Sequence, residues 1–345
     1  KISTSTAIQN SQATAELNVT QALISSLTAL GNDGRVKTVG ITDSAANVST
    51  SWDAIKTNTL VATAGSSISL LAGTTTPLKL TATQVGAGTS TLAKITNGSY
   101  SVQVNEAGAS AAQTLASNSK VVGIDVLDTA ANVQTNFTGL SGNAKLTGIN
   151  LSDAGSSMTL SQAQVLTGAT TLAKVKDLYS LNVTGVTMAN VANLMSTLPI
   201  ATLAVSDTSD AVGFTAFDTL TGLGAKLASV SLTDVATDAV EMSFGQYQAG
   251  TSTLAKFGGN YHLAVYDVTA DSAADLGNDT KVDLIHVEDN ANNIALNIAA
   301  LHALGSKLNN ITLTADEPIQ ITQAQETAYR TTLDKVLGGA DIDIV

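Results

Sequence analysis

From Val121 to Pro199 the apolar positions run through one pattern three times. Val122, Ile124 and Val126 alternate with their neighbours and lead into Ala130-Ala-Asn-Val-Gln-Thr-Asn-Phe137. Leu146, Ile149 and Leu151 open the second round. A short apolar pair, Met158 and Leu160, follows, then Ser161-Gln-Ala-Gln-Val-Leu166 and Thr171-Leu-Ala-Lys-Val175. Tyr179, Leu181 and Val183 open the third, which continues into Met188–Met195. Alternation of period two predicts strands. Apolar residues three and four apart, as in Val191, Leu194 and Met195 or Ile294, Ile298 and Leu301, predict helices. The element expected is strand, turn, helix, renewed roughly every 26 residues.

Three such rounds make one larger repeat of about 80 residues. Thr-Leu-Ala-Lys stands at Thr91–Lys94, Thr171–Lys174 and Thr253–Lys256, with Thr-Leu-Asp-Lys at Thr332–Lys335. Asp43-Ser-Ala-Ala-Asn-Val48 returns as Asp128–Val133, Asp207–Val212 and Asp289–Ile294. A Tyr-led strand recurs at Tyr100, Tyr179 and Tyr261. A single strand and helix cannot bury their apolar faces alone, so successive rounds must stack on one another. The expected fold is an α/β solenoid of about twelve rounds in four repeats (35–120, 121–199, 200–280 and 281–345), with a parallel sheet on one side and helices on the other. At a strand spacing of about 4.8 Å it would be a rod of about 60 Å. Residues 1–34, with Ala22–Leu27 and Leu30 amphipathic, read as a helical cap or a partial repeat. Ala340–Val345 reads as the third strand of the fourth repeat, an open edge prone to association. The chain starts at Lys1, as expected of a mature or excised piece.

Composition narrows the function. Charged residues are 13% of the 345, against about 25% in an ordinary domain. The net charge of −12, with Arg35 and Arg330 the only arginines, opposes nucleic-acid binding, which needs clustered cations. No apolar run reaches membrane-spanning length. Without Cys there is no disulfide, thiolate zinc site or thiol nucleophile.

The run Val126–Val133, followed by Leu146-Thr-Gly-Ile-Asn-Leu-Ser-Asp153, Leu160-Ser-Gln-Ala-Gln164 and the strand at Tyr179, resembles repeats of large bacterial secreted and cell-surface proteins. These are of the RTX-like, type I secretion, adhesin or surface-layer kind. The resemblance covers about residues 35–345 and implies an extracellular location. The Gly-Gly-x-Gly-x-Asp calcium nonapeptide of the RTX class is absent.

Two chemistries fit the repeated Asp43, Asp128, Asp207 and Asp289, each with a further acid close by in three cases (Asp125, Asp210, Glu288). One is calcium coordination; the other is helix capping and turn formation. Successive markers lie three rounds apart, about 14 Å by strand spacing, too far to share one ion. Asp234, Asp238 and Glu241 form a second acidic group, either a local calcium site or a solvated loop. His262, His286 and His302 all fall in the last repeats without metal-ligand spacing. Tyr100, Tyr179 and Tyr261 suit either packing between rounds or stacking on a glycan. Trp52, Phe137, Phe214 and Phe217 fall at equivalent helical positions and read as core. No Gly-x-Ser-x-Gly is present, and Gly86-Ala-Gly88 and Gly222-Leu-Gly224 lack the third glycine of a dinucleotide loop. Sequons at Asn18, Asn136 and Asn182 are what a Thr-rich chain produces by composition.

The expectation is a non-enzymatic structural or interaction module of an extracellular bacterial surface protein: an adhesin stalk, surface layer or biofilm-matrix component. Its expected partners are itself, neighbouring repeats of a longer chain, or a surface glycan. A calcium- or glycan-binding module is the alternative, and a polysaccharide-processing enzyme the third. A functional site should break the repeat, at Thr74–Pro77, at Asp234–Glu241, or in the His-containing last repeat.

Overall fold

The computed structural model describes residues 15–71, 76–234, 238–339 and 341–345. It forms two compact units. The first runs to Met158 and includes Ala163–Tyr179; the second comprises Thr159–Gln162 and Ser180–Val345.

The first unit carries two open sheets. One holds β1 (Leu17–Ala22), β2 (Val36–Ser44) and β3 (Ser67–Leu71) in that order. The other holds β4 (Leu78–Thr81), β5 (Val102–Ala107), β6 (Val121–Asp128) and β7 (Leu146–Leu151). The second unit repeats the plan. Its sheets are β8 (Ser157–Ser161), β9 (Ser180–Val186), β10 (Ile200–Asp207) and β11 (Leu227–Leu232); β12 (Val240–Ser243), β13 (Leu263–Val268), β14 (Val282–Asp289) and β15 (Leu308–Leu313); and the pair β16 (Ile319–Ile321) and β17 (Ile342–Ile344). Within each sheet every strand neighbours its successor in sequence, and the pairs β1–β2, β5–β6 and β13–β14 among others are parallel. Helical crossovers make this possible, because a parallel pair cannot be joined by a tight hairpin. The fold is therefore α/β with several short parallel sheets, as the period-two and helical patterns predict.

The strands divide the rounds into an apolar inside and a polar outside. In β6, Val121, Ile124 and Val126 are buried, while Val122 is 52% exposed. The following helices, Ala130–Thr135 and Phe137–Ser141, add Val133, Phe137 and Leu140 to the core. Such short helices would not hold alone; packing against the sheet holds them. Aromatic rings sit opposite glycine. A Cβ on Gly168 would lie 2.3 Å from the Phe137 ring, on Gly250 2.2 Å from Phe217, and on Gly88 2.7 Å from Trp52. The fourth repeat carries Ile298 where the others have the ring and Tyr329 where they have the glycine. Large and small have changed places.

Within the described residues 15–34, the stretch from Ala22 departs from the expected amphipathic helix. Ala22 ends a strand, Ile24–Ser26 is a 3-10 turn, and only Leu27–Gly31 is α-helical. Gln21 adopts φ +63, where β1 slips register against β2. The equivalent Glu106, Gly185 and Asp267 have φ +53, +66 and +57 beside the same slip in β5, β9 and β13. This bulge turns Ala22, Ala107, Val186 and Val268 back into the core.

The repeated lysine also does more than oppose its own helix dipole. Lys94 Nζ donates to the Thr63 carbonyl at 2.8 Å, Lys174 to Leu146 at 2.7 Å, and Lys256 to Gly224 at 2.6 Å. Lys335 reaches Gly305 and Leu308. Lys145 and Lys307 make the same reach, to Asn118 and to Gly277. Each cation satisfies carbonyls in the helix-to-strand connection one round upstream. Lys176, by contrast, pairs with Asp125 at 2.9 Å over Gly148, and its side chain is 51% exposed. Lys174→Met is therefore expected to lower stability by about 1–2 kcal/mol in urea unfolding. Lys176→Met should cost under about 1 kcal/mol. Equal losses would show that the backbone contact has no special weight.

Candidate functional site

The four marker aspartates occupy one position with one geometry. Asp128, Asp207 and Asp289 end their strands and Asp43 stands one residue before the end of β2; the following residue, Ser44, Thr129, Thr208 or Asn290, is the helix N-cap. One carboxylate oxygen accepts the N–H of that N-cap residue: Ser44 at 2.8 Å, Thr129 at 2.9 Å, Thr208 at 3.0 Å and Asn290 at 2.8 Å. The other oxygen accepts a backbone N–H from 19 residues upstream, at the start of the preceding round's helical segment. The donors are Ile24 to Asp43 (3.0 Å), Ala109 to Asp128, Met188 to Asp207 and Ala270 to Asp289 (each 2.9 Å). Asn47, Asn132 and Asn293 donate side-chain amides to three of the four. Asp153 and Asp234 extend the scheme, accepting the N–H groups of Ala130 and Ser209 at 2.8 and 2.7 Å. These carboxylates tie helix starts of adjacent rounds together.

Burial pushes the Asp43 and Asp128 carboxyls up. The hydrogen bonds from Asn47 and Asn132 and from backbone N–H groups outweigh it and hold both below the usual carboxylate range. For Asp234, burial likewise raises, and the Ser209 hydroxyl and N–H more than offset it. A carboxyl with a depressed folded pKa contributes stability that is present above its unfolded pKa of about 4 and is lost as pH falls through the folded value. The urea midpoint should show no loss from these groups between pH 7 and 5 and fall steeply below about pH 4. Asp128→Asn should flatten part of that fall; an unchanged acid limb would dissociate it from this residue.

The acidic group at 234–241 is not drawn together by its side-chain contacts. Asp234 Oδ2 is taken by the Ser209 N–H and hydroxyl, and Glu241 Oε1 accepts the Tyr266 hydroxyl at 2.8 Å. Asp238 is exposed. Val235–Thr237 lie outside the described residues, as do Thr74, Thr75 and Ala340. Among the described residues no three His, Asp or Glu side chains are arranged to hold a metal ion. The histidines go to separate partners. His262 Nδ1 lies 2.6 Å from Asp283 Oδ2 without hydrogen-bond alignment, and His302 Nδ1 lies 2.9 Å from Thr332 Oγ1. Tyr100 and Tyr261 lie under Lys120 and Lys281, with each ammonium 4.7 Å from the ring centroid. Burial raises the pKa of both, and of Tyr179.

One cluster does stand apart. On the second unit, Phe214, Tyr266 and His286 form a continuous row of rings. Tyr266 and His286 stack at 3.9 Å with 14° between planes, and Phe214 tilts against Tyr266 at 5.4 Å. Glu241 on β12 holds the Tyr266 hydroxyl. Asn310 on β15 faces His286 on β14 in register, and its Oδ1 lies 3.2 Å from His286 Nδ1. Asn309 Nδ2 lies 3.3 Å from His286 Nε2. The two amides assign the neutral ring with the proton on Nδ1, donating to Asn310 and accepting from Asn309. Burial lowers the His286 pKa, against weaker raising effects of Asn310 and Glu241, in keeping with a neutral imidazole. Burial, then the hydrogen bond to Glu241, pushes Tyr266 up to about 12.

Phe214 corrects the sequence reading. Phe137 and Phe217 are 1% exposed and belong to the core, but Phe214 is 39% exposed. Phe217 already fills the ring slot, and Phe214 is an extra aromatic three residues before it. The signal for the rest of the cluster lay in repeat alignment. Tyr266 stands where the other repeats have Thr20, Asn105 and Thr184, and His286 where they have Gly40, Asp125 and Ala204.

Among the described residues no helix is long and apolar enough to cross a membrane. Comparison with protein-family models, curated proteins and solved structures found no match for this chain.

Proposed function

We propose that the chain is a structural and interaction module of an extracellular bacterial surface protein, built as one continuous α/β solenoid of about twelve rounds in four repeats. A non-enzymatic role in an adhesin stalk, surface layer or biofilm matrix follows from how its polar groups are used. The observation that carries this reading is the recurring cross-round contact. At every marker, the carboxylate satisfies backbone N–H groups of the round before it. Acids and lysines that an enzyme would gather at one place are distributed along the chain as ties between neighbours. Low charge and abundant small side chains suit regular stacking.

Deleting residues 121–199 tests the architecture. This removes one full repeat and joins Lys120 to Ile200, the residue equivalent to Val121. A solenoid closes the gap in register, so the deletion variant should unfold cooperatively with unchanged secondary-structure proportions. A molten or aggregated product would overturn the continuous stack. For location, antibody raised against the chain should label intact cells of the source organism. Labelling that requires permeabilisation would overturn the extracellular assignment.

A further inference from the structure

We propose that Phe214, Glu241, Tyr266, His286 and Asn309 form a carbohydrate-binding patch that takes a pyranose ring of an uncharged glycan. The patch lies on the second unit and does not depend on the spacer role.

Three observations carry this. The first is where the repeat breaks. Across β12, β13 and β14 the positions of Glu241, Tyr266 and His286 change type together, and in this one place the new side chains touch. Glu241 replaces Lys79, Thr159 and Gln320 of the other repeats. Packing needs do not demand the change, since Thr, Gly and Ala serve the same positions elsewhere.

The second is strain. Phe214 has φ +41, a left-handed conformation that is strained for a bulky L-residue. A glycine would adopt it freely. The chain instead keeps a phenyl ring there and leaves it 39% exposed. Strain held at an exposed aromatic points to a use for the ring.

The third is the chemistry on offer. Aromatic faces are electron-rich and accept the polarised C–H groups on one face of a pyranose. Beside them stand Glu241, with a second carboxylate oxygen beyond the one that accepts the Tyr266 hydroxyl, and the exposed Asn309, whose amide keeps an N–H and its Oδ1 beyond the bond to His286. These match sugar hydroxyls, which both donate and accept, while His286, its two ring nitrogens engaged by Asn309 and Asn310, adds its ring. An anionic glycan would meet Glu241 and a chain of net charge −12. An ammonium would find no cage, because Phe214 and Tyr266 touch each other at 5.4 Å and leave no gap between them.

The test is affinity electrophoresis of the full chain through gels containing laminarin, xylan, galactan or dextran, with saturation-transfer NMR on their oligosaccharides. The key variant is Phe214→Gly, which removes the ring and relieves the backbone. Retardation by at least one polysaccharide is expected, weakened about tenfold in Phe214→Gly, the loss of one good aromatic contact. The melting temperature should be unchanged or raised. Tyr266→Ala should weaken binding similarly, and Tyr100→Ala, on the first unit, should not. No retardation by any of the four overturns the proposal, as does retardation that survives Phe214→Gly. Preferential binding of polylysine, lost in Phe214→Gly, would replace the sugar by a cation.

Discussion

Asp289→Ala is expected to destabilise the protein by about 2–4 kcal/mol. Asp289 is only 7% exposed. It accepts the N–H groups of Ala270 and Asn290 at 2.9 and 2.8 Å and the side-chain amides of Asn290 and Asn293 at 3.1 and 3.0 Å. Removing the carboxylate strands the Ala270 N–H inside the fold, where water cannot replace the acceptor. An unsatisfied buried donor costs about 1–3 kcal/mol, and the lost local capping adds about 1 more. Asp289→Asn keeps one acceptor oxygen and should lose about half as much. Asp218→Ala, at an exposed helical position, should stay within about 0.5 kcal/mol of the parent. Urea unfolding of the three variants measures all of this. If Asp289→Ala falls in the range of Asp218→Ala, the acid ladder is decoration and not structure.

Gly168→Leu should cost about 3 kcal/mol or more, because even a bare Cβ there would sit 2.3 Å from the Phe137 ring and 2.8 Å from the Gln164 carbonyl oxygen. Phe137→Ile alone should cost a similar amount through the cavity it opens. The fourth repeat indicates that the pair can trade sizes, with Ile298 and Tyr329 in the corresponding places. The double variant Phe137→Ile, Gly168→Leu should therefore recover part of the loss, with a coupling energy of about 1–2 kcal/mol. Strict additivity would mean that the two positions do not share a space. Far-UV circular dichroism during denaturation reads the effect, with Trp52 fluorescence reporting the first unit.

The alternation of strand and helix and the parallel sheets were legible in the sequence because repetition multiplies weak signals. Each strand is short and each helix often no longer than six residues, but markers such as Thr-Leu-Ala-Lys and Asp-Thr-Ala-Ala-Asn-Val align them across the chain. The partners of those markers were not legible. Asp128 was readable as a cap for its own helix; that its second oxygen would reach Ala109 depends on how one round rests on another, which spacing alone does not encode. The reach of Lys174 to the Leu146 carbonyl was hidden for the same reason. The bulge at Glu106 and Asp267 was hidden because left-handed backbone is ordinarily announced by glycine, and only Gly185 of the four positions has one. The aromatic cluster was missed residue by residue. Phe214 passed for core beside Phe217, and Tyr266 stands outside the Tyr100, Tyr179 and Tyr261 series, so nothing in that series singled it out.

The contacts of the marker aspartates and of the repeated lysines share a direction. Asp43 reaches back to Ile24, and Lys94 reaches back to Thr63. Each strand–helix segment is thus completed by residues that leave the ribosome some 19 to 32 positions later. A chain appearing from its N-terminus would always carry one unfinished round at the point of emergence, with bare helix-start N–H groups waiting for the next carboxylate. Such a segment would gain its last partners only once the carboxylate or ammonium of the following one had appeared.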